Sequence, residues 1–301
     1  MELQEKEIRS FIGRDLGTVT IVRELGRGAG GVVFVGFQRT LQRQVAVKVL
    51  PKSSIAGPEA RRRFKFEAQL VAGLFHPNIV PVFEMGEAKD CWYQVMQIVQ
   101  GEDLEKYLRK CRKNPIATRR ILPLAKTCRI MLEVLDGLQY AHDQQVVHQD
   151  IKPGNILIQR GTARAMITDF GIAKACFFDG AQRRGFIVGS PLYMAPEQAS
   201  GVGTDHRADI YSLGMVLYQM TAPALPLAEK DALRVVALKI DQPECLFTKW
   251  PSEVSPIIGP QLECVILKAL APDPRQRYQN CRAFRADLEM VPTEKSGSKT
   301  A

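Results

Sequence analysis

A short stretch in the middle of the chain combines three polar residues that could together move a phosphate group. Asp150, Lys152 and Asn155 occur in the run Val147-His-Gln-Asp-Ile-Lys-Pro-Gly-Asn155. An aspartate can accept or orient the proton of an attacking hydroxyl, a lysine can reach the transferred phosphate, and an asparagine can hold a metal ion. Any one of them alone could belong to a turn, but together they indicate a phosphoryl-transfer site.

A further carboxylate follows in Asp169-Phe170-Gly171. Phosphoryl transfer needs the phosphates held, their charge neutralised and the attacking hydroxyl placed in line. Because carboxylate and amide oxygens are ligands that Mg²⁺ accepts, the sequence predicts Asn155 and Asp169 as the metal ligands. Asp150 is then the residue that receives or orients the hydroxyl proton, and Lys152 the one that reaches the γ-phosphate.

Glycines that could cradle phosphates stand near the start of the chain. Gly26, Gly28 and Gly31 belong to the run Gly26-Arg-Gly-Ala-Gly-Gly-Val-Val33, which follows a predicted strand. Without a Cβ, glycine lets backbone N–H groups approach phosphate oxygens. The motif alone is weak evidence, because tight turns use the same residues. It precedes a strand and not a helix, which argues against a dinucleotide-binding site.

A lysine and a glutamate are predicted to act on the same phosphates. Lys48 ends the apolar run Val45-Ala-Val-Lys48, where a lone lysine would usually point to solvent. Glu67 lies on the inward stripe of the next predicted helix, and an acid on an apolar face is costly unless it is paired. We therefore expect Lys48 to contact the α- and β-phosphates of a nucleotide and to be held there by Glu67.

The elements that must position these residues change in character near Gly101. The first part is rich in β-branched runs, which predict strands at 18–22, 32–37, 44–50, 81–87 and 91–99. One helix begins at Pro58, with Phe64, Ala68, Val71 and Phe75 at helical spacing. Beyond Gly101 the pattern is mostly helical, with helices predicted from Pro123 and at 205–220, 230–240, 261–270 and 282–290.

These motifs, in this order, resemble the eukaryotic-type protein kinase family over roughly residues 18–290. The chain also carries Ala195-Pro-Glu197, Asp209 within Asp-Ile-Tyr-Ser-Leu-Gly, and Arg277. Asp-Ile-Lys-Pro-Gly-Asn is the Ser/Thr form of the family's catalytic loop, here residues 148–155. Within the family, the stretch around Asp209 is most similar to bacterial Ser/Thr kinases.

The resemblance implies an α+β, bilobal protein-kinase fold. A small β-rich N-lobe with one helix would cover 18–98, and a larger, mainly helical C-lobe would cover 99–291. An N-terminal extension at 1–17 and a disordered tail at 292–301 would flank them. The phosphate donor would be ATP, the metal Mg²⁺ with Mn²⁺ as an alternative, and the acceptors protein Ser/Thr hydroxyls.

The resemblance also implies supporting roles. Further nucleotide contacts would come from Met96 at the gatekeeper position, Gln97 and Val99 in the hinge, Asp103 at the ribose, and Val33, Ala46 and Leu157 around the adenine. Glu197 and Arg277 would form a buried ion pair with a structural role.

Two departures from the family coincide. Gln149 stands where the family usually has an arginine that grips a phosphate on the activation loop. Residues 171–189 contain no Ser, Thr or Tyr. The first hydroxyl is that of Ser190, in the substrate-facing Ser190-Pro-Leu-Tyr193, where the family uses it to brace the catalytic Asp and Lys. The sequence therefore predicts a non-RD kinase that does not depend on activation-loop phosphorylation.

Composition limits the other classes of function. The net charge of +9 comes from separate basic clusters without interleaved aromatic residues, so we expect no nucleic-acid partner. The seven cysteines are scattered without a C-x-x-C pair, which favours free thiols in a reducing compartment. Because neither a signal peptide nor an apolar run of about 18 residues is present, we expect a cytoplasmic protein with no membrane segment in this chain.

Two alternatives to an active kinase are kept open. A pseudokinase would bind nucleotide and act as a scaffold, but such proteins usually lose at least one of the four residues Lys48, Asp150, Asn155 and Asp169, all present here. A nucleic-acid-binding protein rests on net charge alone. The sequence leaves the oligomeric state open, with a homodimer as one outcome, and it does not identify the substrate.

Overall fold

The computed structural model describes residues 5–28, 31–52, 55, 57–116, 119–170 and 191–293. These residues form two compact units, one from the residues up to Gln100 and the other from 101–170 and 191–293. Strands dominate the first unit and helices the second. The predicted α+β class is therefore confirmed.

One antiparallel sheet of six strands forms the first unit, in the order β1-β2-β3-β4-β6-β5. Its strands are β1 (Asp15–Leu16), β2 (Val19–Gly28), β3 (Gly31–Gln38), β4 (Arg43–Pro51), β5 (Val82–Glu87) and β6 (Cys91–Met96). Val45, Val47 and Val49 alternate along β4 and are all fully buried, because every second side chain of a strand faces the same side of the sheet. Strands β2 to β6 fall where strands were predicted, although β6 ends three residues earlier than expected, and β1 was not predicted.

Helix α2 (Pro58–Ala72) begins with proline at its first turn and ends at Gly73. It buries Phe64, Ala68 and Val71, which confirms three of the four residues of the predicted stripe. The fourth, Phe75, is 83% exposed. That prediction was wrong because the helix ends before the stripe reaches this residue.

A second helix of the first unit lies in the region predicted as an extension. α1 (Glu5–Ser10) precedes the sheet. Ile8 is 1% and Phe11 4% exposed, and both belong to the core of the sheet. The ring of Phe11 lies 5.8 Å from that of Phe34. The described part of the first unit therefore carries two helices and not the single one expected, because two apolar positions are too few to show periodicity.

The second unit contains eight α-helices among the described residues. They are α3 (Leu104–Arg112), α4 (Leu124–Asp143), α5 (Pro196–Ser200), α6 (Arg207–Thr221), α7 (Ala232–Asp241), α8 (Pro251–Val254), α9 (Pro260–Ala269) and α10 (Cys281–Glu289). A small antiparallel sheet accompanies them, in the order β7-β8-β9, with β7 (Gly101–Asp103), β8 (Ile156–Gln159) and β9 (Ala165–Ile167). The long helices confirm the predicted ones, whereas α3 and the small sheet were not predicted.

Helix α6 forms the centre of this unit. Nearly all its residues are buried, and it packs against α4 and α9. A Cβ at Gly214 would lie 2.8 Å from Cβ of Ala269, so glycine is what lets α6 and α9 approach. α10 packs on α4, and this contact includes ion pairs from Arg282 to Asp143 and from Arg285 to Asp136.

No helix in the described part of the chain combines the length and the apolar character needed to cross a membrane. Of the predicted disordered tail, residues 294–301 lie outside the described residues.

Candidate active site

The glycine-rich stretch forms the turn between β2 and β3. Gly28 pairs with Gly31 across the hairpin, and the two residues between them lie outside the described part. Gly31 has φ +120°, and a Cβ there would lie 2.4 Å from the carbonyl oxygen of Val49. Only glycine fits that position. A Cβ at Gly26 would meet nothing within 4 Å, so Gly26 leaves the hairpin open on that side.

Arg27, between these glycines, ties the hairpin to its surroundings. Its Nε lies 2.6 Å from Oε1 of Glu24, and its Nη1 lies 2.9 Å from Oε2 of Glu5 on α1. The pairs are largely exposed to solvent, which screens their charges, so each contributes little to stability. The pair with Glu5 connects α1 with the glycine-rich hairpin, which is the candidate for phosphate binding.

Three residues predicted around the nucleotide base lie on neighbouring strands. β4 places Ala46 opposite Met96 of β6, and Val33 of β3 opposite Lys48 of β4. Ala46 and Met96 are buried. After β6, the N–H of Gln97 donates to the carbonyl of Pro81 at 3.0 Å, which fixes the start of the predicted hinge. Val99 follows in chain without regular structure.

Lys48 is held by the sheet on the face opposite to the core. Its neighbours Val47 and Val49 are fully buried, whereas Lys48 is only half-buried. Because side chains alternate along a strand, the side chain of Lys48 lies on the other face of the sheet. Ala46, two residues earlier on β4, and Val33, the partner of Lys48 on β3, share that face. A cation on this face is suited to phosphate oxygens.

Glu67 occupies the inner side of α2, between the buried Phe64 and Ala68. Burial raises the pKa of its carboxyl group to about 7, and the charge of Arg63 acts in the opposite direction. Arg63, one turn earlier on the same helix, is thus a cation that acts on this carboxylate. The pairing of Glu67 with Lys48 stays a prediction.

Asp150, Lys152 and Asn155 are brought together by hydrogen bonds. Nζ of Lys152 donates to Oδ2 of Asp150 at 2.7 Å. Nδ2 of Asn155 donates to the carbonyl oxygen of Asp150 at 2.8 Å and to Oδ2 at 3.2 Å. The side chains of Asp150 and Lys152 remain 17% and 19% exposed, so a hydroxyl group can reach them. Since Asn155 uses its amide nitrogen here, its oxygen is the atom suited to a metal ion.

A buried aspartate holds the backbone of this loop. Asp209 on α6 accepts the N–H of His148 at 2.8 Å and that of Gln149 at 2.7 Å. Burial acts to raise the pKa of Asp209, but the hydrogen bond from His142 and the charges nearby overcome it and hold the pKa below its usual range. Gln149 has φ 62°, which costs a non-glycine residue about 1–2 kcal/mol. Hydrogen bonds to a carboxylate are strong enough to offset that cost.

His148 joins the catalytic loop to the strand end that carries Asp169. It is fully buried, and this burial lowers the pKa of its ring. Nδ1 accepts the N–H of Asp150 at 3.2 Å, which leaves Nε2–H to donate to the carbonyl of Thr168 at 3.0 Å. The ring of Phe170 packs on it at 4.6 Å.

The two predicted metal ligands are joined through the backbone. The N–H of Thr168, next to Asp169, donates to the carbonyl of Asn155 at 2.9 Å. Asp169 has φ 60°, so the chain turns sharply at this carboxylate. In the described part of the chain, no three His, Cys, Asp or Glu side chains cluster as a metal site. Two oxygen ligands completed by phosphates are a donor set that suits Mg²⁺.

Asp103 and Leu157 face each other across β7 and β8. The carboxylate of Asp103 caps α3 by accepting the N–H of Lys106 at 2.8 Å, and it pairs with Nζ of the same residue at 2.9 Å. Asp103 thus has a structural role, and its contact with a ribose stays a prediction.

The predicted ion pair between Glu197 and Arg277 is confirmed. Nη1 and Nη2 of Arg277 lie 2.6 and 2.8 Å from the two carboxylate oxygens. The guanidinium, which is 0% exposed, also donates to the carbonyls of Arg207, Ala271 and Pro272. All five of its N–H groups are used.

The candidate site residues are distributed over both units. The first unit carries the glycines, Lys48, Glu67 and the predicted base contacts, and the second carries Asp103, Leu157, the catalytic loop and Asp169. Gly171, the stretch 171–189 and Ser190 lie outside the described residues. The role of Asp209, which holds the backbone of the loop at His148 and Gln149, was not predicted from the sequence. An acid on an otherwise apolar helix was the available signal.

The chain is similar to proteins of a known family. Residues 19–287 match the family described as "Protein kinase domain". The chain is 37% identical over 289 residues to serine/threonine-protein kinase Pkn1 of Myxococcus xanthus, covering 94% of this chain and 40% of that protein. It is 35% identical over 294 residues to tyrosine-protein kinase MasK of the same species, covering 92% and 43%.

The fold is also found among solved structures. The kinase domain of Mycobacterium tuberculosis PknI superposes with a TM-score of 0.73 at 29% identity, covering 92% of this chain and 97% of that one. The chain spans about two fifths of the length of the curated relatives named above.

Proposed function

Because the chain belongs to the protein kinase domain family, we propose that it transfers the γ-phosphate of ATP to serine or threonine hydroxyls of protein substrates. The observation that carries the proposal is the hydrogen-bonded network of Asp150, Lys152 and Asn155. Asp169 adjoins this network through the backbone bond from Thr168. A proton acceptor, a cation and two side chains with oxygens suited to a metal ion therefore lie in or beside one loop, which supports the proposal.

Each side chain of the network has a task in the proposed reaction. Asp150 orients the attacking hydroxyl and receives its proton, and Lys152, which already donates to Asp150 at 2.7 Å, stabilises charge on the transferred group. Asn155 and Asp169 would hold Mg²⁺, or Mn²⁺ in its place. The metal ion, when bound, neutralises negative charge on the phosphates.

Most of the nucleotide contacts that we propose lie on the strands of the first unit. Gly26, Gly28 and Gly31 offer backbone N–H groups to the phosphates, and Lys48 supplies a cation on the same sheet. The base and ribose contacts proposed are those of Val33, Ala46, Met96, Gln97, Val99, Asp103 and Leu157. The contact of Glu67 with Lys48 belongs to this proposal.

The choice of acceptor hydroxyl is supported by the catalytic loop. Its Asp-Ile-Lys-Pro-Gly-Asn is the Ser/Thr form, and Pkn1 is named a serine/threonine-protein kinase. MasK, by contrast, is named a tyrosine-protein kinase. Phospho-amino-acid analysis of a labelled protein substrate separates the two, because phosphotyrosine as the main product would contradict the proposal.

The decisive experiment compares wild-type protein with Asp169→Asn. With radiolabelled ATP, Mg²⁺ and myelin basic protein as the acceptor, the variant should lose transfer because a metal ligand becomes a neutral amide. Asp241→Asn is the matched control, since Asp241 is exposed at the end of α7. Circular dichroism checks that both variants fold. Wild-type protein that binds ATP but transfers no phosphate would refute the proposal.

We further propose that activity does not depend on activation-loop phosphorylation. Gln149 offers a neutral amide where an arginine would grip a phosphate, and residues 171–189 offer no hydroxyl. Treatment with a phosphatase should leave the rate unchanged, whereas Ser190→Ala should reduce it through the loss of a brace. A large loss of rate on dephosphorylation, mapped to Ser190, would overturn this part of the proposal.

A reducing compartment suits the thiols of this chain. The six described cysteines, which are Cys91, Cys111, Cys128, Cys245, Cys264 and Cys281, are free. We propose the cytoplasm as the site of action, because free thiols persist there.

A further inference from the structure

A lysine lies buried beneath an irregular stretch of the second unit. Lys239 on α7 is 1% exposed, next to the buried Val235 and Val236. Lysine is almost never fully buried unless its charge is paired or hydrogen-bonded. Helix packing alone would favour an apolar residue at this position, so the burial of the ammonium group calls for another explanation.

This ammonium binds one short piece of backbone. It donates to the carbonyl oxygens of Pro191 at 3.0 Å, Leu192 at 2.6 Å and Met194 at 2.6 Å. An ammonium has three protons, so all of them are used. The remaining carbonyl, that of Tyr193, accepts from Oγ of Ser212 at 2.7 Å. Every carbonyl of the stretch is thus held by a side chain from a helix.

The stretch 191–194, here called the clamped segment, is connected to the catalytic loop. Directly after it, the N–H of Ala195 donates to Oε1 of Gln198 at 3.0 Å, and Nε2 of Gln198 donates to the carbonyl of Gln149 at 3.2 Å. Gln198 is buried. Because Gln149 precedes Asp150, a shift of the clamped segment would act on the loop at the residue beside the proposed base.

The partners of Lys239 call for the charged form of the side chain. Carbonyl oxygens only accept, so a neutral amine would leave one of them facing a lone pair. Tyr211 lies 5.1 Å from Nζ, and Arg277, which is paired with Glu197, covers the same ring at 4.9 Å. Burial lowers the pKa of Lys239 to about 7, Arg277 acts in the same direction and Glu197 opposes it.

We propose that Lys239 is a positioning residue for the protein substrate, holding the clamped segment in the shape that receives the chain around the acceptor hydroxyl. The inference rests on the proposed function. The side chains of Pro191, Leu192 and Tyr193 remain partly exposed while their carbonyls are bound from the interior. They therefore present a surface of fixed shape, tied through Gln198 to the loop that carries Asp150.

The test is the effect of Lys239→Met on the two KM values. Methionine matches the length of the stem but cannot donate, so the three carbonyls lose the hydrogen bonds from this side chain. With myelin basic protein as the acceptor, we expect the KM for protein to rise about tenfold, while the KM for ATP stays within about twofold. Lys239→Arg, which keeps a charged donor, should restore part of the difference.

Lys268→Met is the matched control. Lys268 is also a lysine of this unit placed over a tyrosine ring, 4.2 Å from Tyr278, but it pairs with Asp287 at the surface. This variant should leave both KM values as in wild type. The inference would be overturned if Lys239→Met lowered turnover and raised both KM values to the same extent, with no recovery in Lys239→Arg. That result would show a purely structural role.

A second variant decides the matter if Lys239→Met does not fold. Ser212→Ala removes the hydrogen bond to the carbonyl of Tyr193, and it should raise the KM for protein without changing that for ATP. An unchanged KM for protein in this variant would count against the inference. If wild-type protein transfers no phosphate at all, it is the proposed function that fails, and the two failures are thus distinguished.

Discussion

Replacing Glu67 by glutamine is expected to make the protein more stable and less active. The carboxylate lies on the inner side of α2, where burial raises its pKa to about 7. A group that is held in an unfavourable environment for a functional reason lowers the stability of the fold. Glutamine keeps the size and the polarity of the side chain and removes the charge.

The magnitude follows from the pKa of this group. A rise from the ordinary value of 4.5 to about 7 corresponds to about 3 kcal/mol. The side chain is only partly buried, so solvent screening reduces the effect to about 1–2 kcal/mol. Since the folded pKa is the higher one, the protonated form stabilises the fold fully below pH 4.5, and this contribution is lost as the pH rises through about 7.

Urea denaturation of wild type and Glu67→Gln at about pH 5 and pH 8 measures the difference. The variant should gain about 1–2 kcal/mol at pH 8 and much less at pH 5. Its phosphate transfer should fall, because the proposed partner of Lys48 is lost. Glu59→Gln on the same helix is the control: Glu59 is exposed and pairs with Arg63, so its loss should give no gain at pH 8.

Two results would refute this reasoning. A difference between wild type and Glu67→Gln that is the same at both pH values would show that the carboxylate does not titrate in this range. A variant less stable than wild type at pH 8 would show that the charge is well paired in the folded protein.

Three further predictions rest on other parts of the structure. Lys48→Met should lower turnover by orders of magnitude and ATP affinity by less, because the interaction strengthens as charge develops; steady-state kinetics and nucleotide titration measure both, and a loss confined to affinity would speak against it. Gly31→Ala should cost about 1–3 kcal/mol of stability in urea, whereas Gly26→Ala should cost clearly less, and equal costs would contradict the hairpin geometry. Arg277→Met should cost about 3–5 kcal/mol, because Glu197 is left buried without its partner; a loss below about 1 kcal/mol would exclude a buried pair.

The sequence predicted the long elements because their periodicity is strong. The apolar stripe of α4 and the β-branched run of β4 both appear in the chain as clear patterns. The chemistry of Asp150, Lys152 and Asn155 was also visible, since they lie within one loop and the structure joins them by hydrogen bonds. Local residues with characteristic types are what a sequence shows best.

The rest depended on contacts between distant parts of the chain. Asp209 meets the catalytic loop across about 60 residues, and nothing near it in the sequence indicates this partner. Lys239 ends a predicted helix, where a lysine is usually exposed; its burial follows from carbonyls of a stretch without periodicity. α1 escaped notice because a helix of six residues shows too few turns for a pattern.

The contact between α4 and α10 has a consequence for how the protein is made. Arg282 reaches Asp143 over a separation of 139 residues, and the apolar face of α10 with Phe284 and Leu288 is buried in the same unit. Contacts so distant in sequence form late and slowly. On the ribosome, the sheet of the first unit can form early, whereas the contacts of α4 with α10 can form only after α10 has been synthesised. During that interval the nascent chain exposes apolar surface, and chaperones that bind such surface would have their target here.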